Sequence, residues 1–344
     1  MFKMSHKRVF YFLSCLLFLV CVFSLIGFSH YLLSPSRKGG CNQLFLVRKG
    51  STLKQVAAEL EKKEIITSKR LFMLWGRLTR YSRNIKAGEY RLNSGMTPAK
   101  ILEILGKGAI ISHAVTIPEG FTRKQIGELL EEKGLVDKDK FLSLTGDPAV
   151  ARHYGISGPG LEGYIFPDTY RFGRDLHPQE VIDVMLRRFM EVFSKFRKRA
   201  DQLGMTLEQV ITLASIVEKE TGSADERPII ASVFLNRLKK NMRLESDPTV
   251  IYGIKYFNGN LTKKDLAKRT PYNTYIINGL PPGPIANPGR ETIKAVLYPA
   301  KTEYLYFVSK NNGHHYFSKT LSEHNRAVQT YQKGLRKRHR RKSN

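Results

Sequence analysis

The sequence predicts a mixed α+β protein that is held in a membrane by one N-terminal helix. Three observations support this fold class. A long apolar run opens the chain, short strand patterns precede helix patterns in residues 42–140, and longer helices alternate with aromatic loops in residues 150–330. The 344 residues are 42% hydrophobic, which is enough to build folded cores. We therefore expect an anchor, a region of small strand–helix modules and a larger mixed domain.

The apolar run covers residues 9–33 and is long enough to cross a hydrocarbon layer of about 30 Å. Lys3, Lys7 and Arg8 precede it, and this positive charge predicts that residues 1–8 are cytoplasmic. A cleaved signal peptide is the alternative, but the run is too long and has no small-x-small cleavage site after it. We expect an uncleaved single-pass anchor in the inner (cytoplasmic) membrane, with the bulk of the chain on the periplasmic side.

The net charge of +27 predicts a polyanionic partner, such as nucleic acid, anionic lipid or a wall polymer. An extracytoplasmic location argues against nucleic acid, and the chain has no zinc-finger pattern or clear helix-turn-helix pattern. Membrane lipid and wall glycan remain. The basic tail, residues 331–344, is either solvated or surface-binding. The three cysteines form neither a zinc motif nor a disulfide framework, so no metal or cofactor is expected.

A weak repeat of the form Gly-x-Thr occurs at residues 50–52, 95–97 and 120–122. In each copy an apolar residue follows four positions after the threonine, and a leucine follows four positions later. Threonine is a good N-cap, and this spacing makes one apolar helix stripe. Short strand patterns precede the helices. The copies are either LysM-like glycan-binding modules within residues 42–140 or simply recurrent helix starts.

Residues 155–172 form a glycine-rich loop that is followed by aromatic residues. Glu162, Tyr164 and Asp168 alternate there with apolar and aromatic side chains. Aromatic faces pack on pyranose rings, and carboxylates accept hydrogen bonds from sugar hydroxyls. The loop therefore suits one wall of a sugar cleft, although it could equally pack against the core.

The helix pattern from Leu207 to Glu220 gives the clearest indication of a catalytic residue. Thr206 is a predicted N-cap, and the glutamine three residues later completes a capping box. The periodicity places Glu218 on the apolar stripe of the helix, whereas Glu220 lies about 160° away. Of the two acids, Glu218 is thus predicted to be the more enclosed.

Enclosure of a carboxyl group favours its protonated form, which is what a general acid at neutral pH requires. Glu218 is therefore a candidate catalytic acid. The alternative is an ordinary glutamate at a helix end, paired with an arginine such as Arg227 or Arg237. The residue pattern alone does not separate these two interpretations.

Two later segments are rich in turn and aromatic residues. Residues 246–249 read Ser-Asp-Pro-Thr, a turn that opens a helix, and residues 271–290 form a Pro-, Gly-, Asn- and Tyr-rich loop suited to a binding wall. Strands are predicted at residues 304–308 and 313–317. His314 and His315 are adjacent there, and adjacent strand residues point to opposite faces, so a shared metal ion is not expected.

Several motifs together resemble the MltG (YceG-like) endolytic murein transglycosylases over residues 45–330. The matching segments are Glu-Gly-Tyr at 162–164, Phe-Pro-Asp-Thr-Tyr at 166–170, Ala-Ser-Ile-Val-Glu-Lys-Glu-Thr at 214–221, Arg-Leu-Glu-Ser-Asp-Pro-Thr-Val-Ile-Tyr-Gly at 243–253, Tyr-Asn-Thr-Tyr at 272–275, Gly-Leu-Pro-Pro-Gly-Pro-Ile at 279–285 and Asn-Pro-Gly at 287–289. Several ordered motifs are far more specific than one short motif.

The resemblance implies a membrane anchor, a LysM-like subdomain and a catalytic domain that faces the cell wall. It implies cleavage of the β-1,4 bond between N-acetylmuramic acid and N-acetylglucosamine within glycan strands, leaving 1,6-anhydro ends. It also implies that Glu218 is catalytic and that the enzyme terminates nascent strands near peptidoglycan synthases. No cofactor is implied.

One glutamate suffices for this reaction, because the C6 hydroxyl of the substrate replaces the water that a hydrolase activates. The residues expected to bind the substrate share polar or aromatic character within the motifs: Glu162, Tyr164, Asp168, Glu220, Asn236, Ser246, Asp247, Tyr252, Tyr272, Asn273 and Tyr275. The alternative function is a non-catalytic, membrane-anchored scaffold that binds the wall. A nucleic-acid binder would require a cytoplasmic C-terminus.

Overall fold

The computed structural model describes residues 6–37, 39–79, 81, 85–174 and 176–333. Most of the predicted cytoplasmic segment 1–8 and nearly all of the predicted tail 331–344 lie outside these residues. The fold is mixed α+β, as the sequence predicts. The chain divides into two compact units, one built from residues up to His113 with Arg171–Leu176, and the other from Ala114–Tyr170 with the residues from His177 onward.

The first helix, α1 (His6–Leu33), contains the apolar run. Its stretch Phe10–Leu33 is 24 residues long and apolar, and most of it is exposed, so by length and composition it could span a membrane. The predicted N-terminal apolar helix is therefore present. At its end, Tyr31 is buried and its hydroxyl donates a hydrogen bond to the carbonyl oxygen of Ser68 at 2.8 Å.

The rest of the first unit is a strand–helix–helix–strand arrangement with one further helix. Its elements are β1 (Asn42–Val47), α2 (Leu53–Lys62), α3 (Lys69–Leu78), β2 (Gly88–Asn93) and α4 (Pro98–Lys107). The two strands are antiparallel, with Phe45 opposite Tyr90. Both of these side chains belong to a buried apolar cluster formed with the helices. Burial of this cluster stabilises the unit.

All three predicted threonine N-caps are confirmed. The side chains of Thr52, Thr97 and Thr122 each accept a hydrogen bond from the backbone N–H three residues later. The third helix, α5 (Arg123–Glu132), belongs to the second compact unit rather than the first. The repeats therefore share a way of starting a helix, but they do not share one core.

The second unit is mostly helical. Its remaining elements are α6 (Lys138–Thr145), α7 (Pro148–His153), α8 (Pro178–Ser194), α9 (Arg197–Gln202), α10 (Leu207–Glu220), α11 (Arg227–Lys239), α12 (Asp247–Tyr252), α13 (Lys263–Leu266), α14 (Arg290–Leu297), β5 (Tyr306–Ser309), β6 (His315–Ser318), α15 (Leu321–Val328) and a π-helical segment, Gln329–Lys333. Two short strands, β3 (His113–Thr116) and β4 (Thr169–Phe172), have residues in both units. Strands β3 and β4 pair with each other, and so do β5 and β6. The last two strands match the predicted pair within two residues.

Helix α10 lies in the core of this unit. The predicted capping box is confirmed, since Thr206 and Gln209 satisfy each other's backbone N–H groups. Every residue from Val210 to Val217 is buried. The hydroxyl of Ser215 accepts a hydrogen bond from the backbone N–H of Ile285 at 3.0 Å, which ties the loop before α14 to this helix.

The glycine-rich loop packs against the same helix, which is the alternative that the sequence left open. Gly163 has a φ of +90°, and a Cβ there would lie 2.5 Å from Pro284 and 2.9 Å from Ile211. Neither the backbone conformation nor the space admits a side chain. This close packing holds the loop that carries Glu162 against α10 and against the loop before α14.

Candidate active site

Glu218 lies in the last turn of α10, and its side chain is 6% exposed. Its Oε2 accepts a hydrogen bond from the backbone N–H of Gly289 at 3.0 Å. Gly289 is the N-cap residue of α14 and has no side chain of its own with which to cap that helix. The Glu218 carboxyl group therefore satisfies one of the unpaired donors at the start of α14. This contact fixes the orientation of the group.

Arg227 contacts the other oxygen of Glu218, with 3.5 Å between Nη2 and Oε1. The same Nη2 atom is also 3.5 Å from Oε2 of Glu119. The arginine pairing that the sequence left open is thus present, but it is long and is shared between two carboxyl groups. Burial, and then the charge of Glu218, raise the pKa of Glu119, while Arg227 lowers it. Glu119 was not predicted, because no local pattern connects it to α10.

A second cluster forms around Glu162. Its Oε1 accepts hydrogen bonds from the backbone N–H of Arg123 at 2.9 Å and from Asn287 at 3.0 Å, and its Oε2 accepts one from Tyr252 at 3.2 Å. Burial raises the pKa of Glu162 to about 7. The rings of Tyr252 and Tyr272 are 4.8 Å apart. The structure therefore brings together three of the predicted site residues.

Asn287 connects this cluster to Glu218. Its side chain donates to Glu162 and to the carbonyl oxygen of Phe121, and it accepts from the backbone N–H of Ile165 at 2.9 Å. Its backbone also pairs with Gly120 and Phe121, at 2.9 Å in both cases. Asn287 was not predicted as a site residue, although it belongs to the Asn-Pro-Gly motif. It holds the loop that carries the Glu218 contact at Gly289.

A third cluster surrounds Glu220. Its Oε1 accepts a hydrogen bond from Ser246 at 2.5 Å. Nearby, Tyr275 donates to Asp247 at 2.7 Å. Three of these residues, Glu220, Asp247 and Tyr275, line a cavity of about 450 Å³ together with Arg237 and His324. Four of the predicted substrate-binding residues therefore meet on this side of α10.

Helical periodicity did not predict that Glu220 is enclosed. The Glu220 carboxyl group is enclosed as well, and burial raises its pKa to about 7. Helical periodicity detects only the apolar stripe of one helix. It does not detect that the chain around Ser246 and Leu244 covers the other side of α10.

Glu220→Gln is expected to reduce the change of the unfolding free energy with pH between pH 4.5 and about 7. A carboxyl group whose pKa rises from 4.5 when unfolded to about 7 when folded binds more protons in the native state between these values. Its contribution is complete below pH 4.5 and is lost as the pH rises through 7. For the wild type this change is about 3 kcal/mol, and the uncharged Gln variant lacks it. Urea unfolding in detergent at a series of pH values, followed by circular dichroism, measures the difference.

The matched control is Glu128→Gln, which changes an exposed glutamate of α5. Its curve of unfolding free energy against pH is expected to parallel that of the wild type. A Glu220→Gln curve that is also parallel would contradict the prediction.

Two other predicted site residues, Asn236 and Asn273, use their polar atoms inside the protein, and Tyr164 packs there through its ring. Tyr164 is fully buried with its ring edge against Phe189. Asn236 donates to the carbonyl oxygens of Thr302 and Tyr304, and Asn273 is buried and donates to carbonyl oxygens of the preceding turn. These residues hold loops in place. Asp168 pairs with Arg188 at 2.7 Å and lines a cavity of about 200 Å³ that Glu119 also lines.

The two adjacent histidines meet the same carboxylate. Nδ1 of His315 is 2.7 Å from one oxygen of Glu226, and Nδ1 of His314 is 3.4 Å from the other. The expected separation onto opposite faces was wrong, because β6 begins at His315 and His314 lies in the preceding turn. Within the described parts of the chain, no group of three or more candidate side chains could hold a metal ion.

Comparison with known proteins gives a consistent result. The family model that matches the chain is that of the YceG-like family, and it covers residues 45–330. An endolytic murein transglycosylase of Bacillus subtilis (strain 168) is 34% identical over an alignment of 298 residues, and the match covers 82% of this chain and 82% of that protein. An endolytic murein transglycosylase of Streptococcus pneumoniae serotype 2 is 28% identical over an alignment of 314 residues, and the match covers 82% of this chain and 57% of that protein.

A solved structure is also similar. The 2.6 Å crystal structure of a YceG-like protein from Listeria monocytogenes has a TM-score of 0.57 and 35% sequence identity, and the match covers 83% of this chain and 98% of that one. The family match includes Glu218, Glu162, Glu220 and Asn287. By sequence and by structure, this chain is a member of the YceG-like family.

Proposed function

We propose that this protein is an endolytic murein transglycosylase, a lyase that acts on the glycan strands of peptidoglycan. Its family membership and the activity for which its relatives are named support this function. The observation that carries the proposal is the placement of Glu218. It is an enclosed carboxyl group in the last turn of a core helix, and Gly289 and Arg227 set its orientation.

In the proposed reaction, Glu218 cleaves the β-1,4 bond from N-acetylmuramic acid to N-acetylglucosamine. Its proton passes to the glycosidic oxygen as the bond from that oxygen to C1 breaks. The C6 hydroxyl of the muramic acid then bonds to C1 and returns its proton to Glu218. Atoms and charge balance without water, and the product carries a 1,6-anhydro end. One carboxyl group thus serves first as acid and then as base.

The polar clusters on either side of Glu218 are proposed to hold the glycan. Glu162, Tyr252 and Tyr272 form one wall, and Asp168 lies in the cavity beside Glu119. Glu220, Ser246, Asp247 and Tyr275 form the other wall, around the larger cavity. Tyr164, Asn236 and Asn273 are assigned the role of positioning these walls. Aromatic faces and carboxylates are suitable partners for sugar rings and hydroxyls.

The strand–helix–helix–strand segment of residues 42–93 is proposed to be a LysM-like, glycan-binding module. Its two strands pair and its helices cover one buried core, so it fits the pattern of strands and helices that is expected within residues 42–140. The catalytic domain is then residues 150–330, together with the loop that carries Glu119. Binding of an additional part of the strand would favour cleavage within long glycans.

The enzyme is proposed to be anchored in the inner membrane by α1, with its N-terminus in the cytoplasm and the remainder in the periplasm. The apolar, mostly exposed stretch Phe10–Leu33 and the basic residues before it support this topology. This topology would place α1 in contact with membrane lipid. The anchor would keep the active site near peptidoglycan synthases, where cleavage would terminate the elongation of nascent strands.

Mass spectrometry of the cleavage products tests the activity directly. The full-length protein in detergent, incubated with isolated glycan strands, is expected to give internal fragments that end in 1,6-anhydro-muramic acid and contain no solvent oxygen. Digestion in ¹⁸O water provides the control for hydrolysis. A labelled reducing end would contradict the transglycosylase mechanism. Binding to sacculi without any soluble product would favour a non-catalytic scaffold instead.

A further inference from the structure

Glu119 lies next to the proposed catalytic acid, although it is far from it in the chain. It occupies the loop before α5, and its side chain is 45% exposed. The Nη2 atom of Arg227 is 3.5 Å from an oxygen of Glu119 and 3.5 Å from an oxygen of Glu218. The two carboxyl oxygens are therefore separated by no more than twice that distance. Two carboxyl groups face one guanidinium.

Backbone hydrogen bonds hold Glu119 in this position. The N–H of Gly120 donates to the carbonyl oxygen of Asn287, and the N–H of Asn287 donates to that of Phe121, both at 2.9 Å. The ammonium group of Lys219, beside Glu218 in α10, is 3.3 Å from the carbonyl oxygen of Gly120. The loop before α5 is thus paired to the loop before α14 on one side and to α10 on the other.

Gly289 provides the space for the Glu119 carboxyl group. A Cβ on Gly289 would lie 1.9 Å from Oε1 of Glu119, so the carboxyl group occupies the place of the missing side chain. The backbone N–H of the same glycine donates to Glu218. One residue of the Asn-Pro-Gly motif therefore accommodates both acids, and its lack of a side chain lets them approach.

We propose that Glu119 is a positioning residue of the reaction centre, whose carboxyl group shares one proton with that of Glu218 beside Arg227. This inference rests on the proposed function. Two carboxylates close together repel each other, so the pair holds one proton more readily than two isolated carboxyl groups would. With Arg227 between them, the singly protonated arrangement has no net charge, whereas loss of the proton leaves a net negative charge in a partly buried site.

The pKa of Glu119 supports this coupling. Burial raises it most, the charge of Glu218 raises it next, Arg227 lowers it, and Glu291 raises it slightly. The titration of two such neighbouring acids belongs to the pair rather than to either residue. The other charged groups around the two acids are Lys219 on α10, Glu291 and Arg290 on α14, and Asp168, Arg188 and Lys195 around the smaller cavity.

The pH dependence of cleavage tests the proposal. In Glu119→Gln, the alkaline fall of kcat/KM on isolated glycan strands is expected to move about one unit towards acid. Activity would drop roughly tenfold at pH values above the wild-type midpoint and return nearly to the wild-type level below the new midpoint. A role that is only structural would lower the rate equally at every pH. Glu119→Asp, which keeps the charge, is expected to retain most of the wild-type profile.

Glu291→Gln is the matched control, since Glu291 is close enough to influence Glu119 but is exposed and lies beside Lys294. Its profile is expected to be unchanged. An unshifted profile in Glu119→Gln, or a loss of rate that is the same at every pH, would overturn the proposal.

A carbon-13 NMR titration keeps the inference testable without activity. In Glu218→Gln, the pKa of the labelled Glu119 carboxyl group is expected to fall, because the neighbouring charge is gone. An unchanged Glu119 titration would overturn the coupling even if the enzyme is active. A wild-type protein that does not cleave glycan would instead reject the proposed function and leave the coupling to be decided by this titration. Melting temperatures confirm that each variant is folded.

Discussion

Glu218→Gln is expected to abolish glycan cleavage, with kcat reduced by about 10³-fold or more. One carboxyl group is proposed to donate the proton and then to accept one, so an amide removes both steps. The amide nevertheless has nearly the same shape, and its oxygen accepts the N–H of Gly289 as Oε2 does in the wild type. The fold should therefore be preserved. Anhydro ends counted by mass spectrometry, with melting temperature as a check of folding, measure the effect.

A comparison of Glu220→Gln with Glu218→Gln distinguishes the roles of the two acids of α10. Glu220 bonds to Ser246 and lines the larger cavity, so its variant is expected to weaken substrate binding more than it lowers kcat. The exposed Glu128→Gln variant is the control and is expected to match the wild type. A Glu218→Gln enzyme that retains activity while Glu220→Gln is inactive would move the catalytic role to Glu220.

Asn287→Ala is expected to destabilise the protein by about 3 kcal/mol. Asn287 is fully buried, and its side chain satisfies the N–H of Ile165, the carbonyl oxygen of Phe121 and the Glu162 carboxyl group. Alanine leaves the buried N–H of Ile165 unsatisfied, which costs about 1–3 kcal/mol. The carbonyl oxygen of Phe121 and the Glu162 carboxyl group lose one partner each but keep their bonds to the backbone N–H groups of Asn287 and Arg123. Urea unfolding in detergent measures the loss.

Asn325→Ala is the control for this variant, because Asn325 is an exposed residue of α15. Its free energy of unfolding is expected to change by less than about 0.5 kcal/mol. Asn287→Ala should also lower activity, since it releases the loop that carries Gly289. Stability close to that of the wild type would show that the loops around Glu162 and Glu218 do not depend on Asn287.

Local features of the fold were predictable from the sequence. Thr52, Thr97, Thr122 and Thr206 begin helices because a threonine side chain satisfies a backbone N–H only three residues away. The apolar N-terminal helix was predictable in the same way, since its length and composition are contained in one segment. Glu218 was identified because a carboxyl group on an apolar helix stripe is unusual.

The sequence did not indicate which of the three repeats belong to the same compact unit. Each begins its helix alike, yet the helix after Thr122 packs in the second compact unit. A capping motif reports where a helix starts and carries no information about the core against which that helix packs. The resemblance to a known family placed the motifs in one catalytic domain, but it did not tell which of their residues face a cleft and which hold loops.

The glutamates at the end of α10 show the difference most clearly. Sequence by itself determined that a core helix ends in two acids and that one of them, Glu218, lies on its apolar stripe. Only the tertiary structure decided that Glu220 is enclosed too, and that Glu119 and Arg227 meet Glu218. Helix periodicity and capping are interactions within a few residues. The environment of a carboxyl group depends instead on loops from distant parts of the chain, which are brought together only when the core is packed.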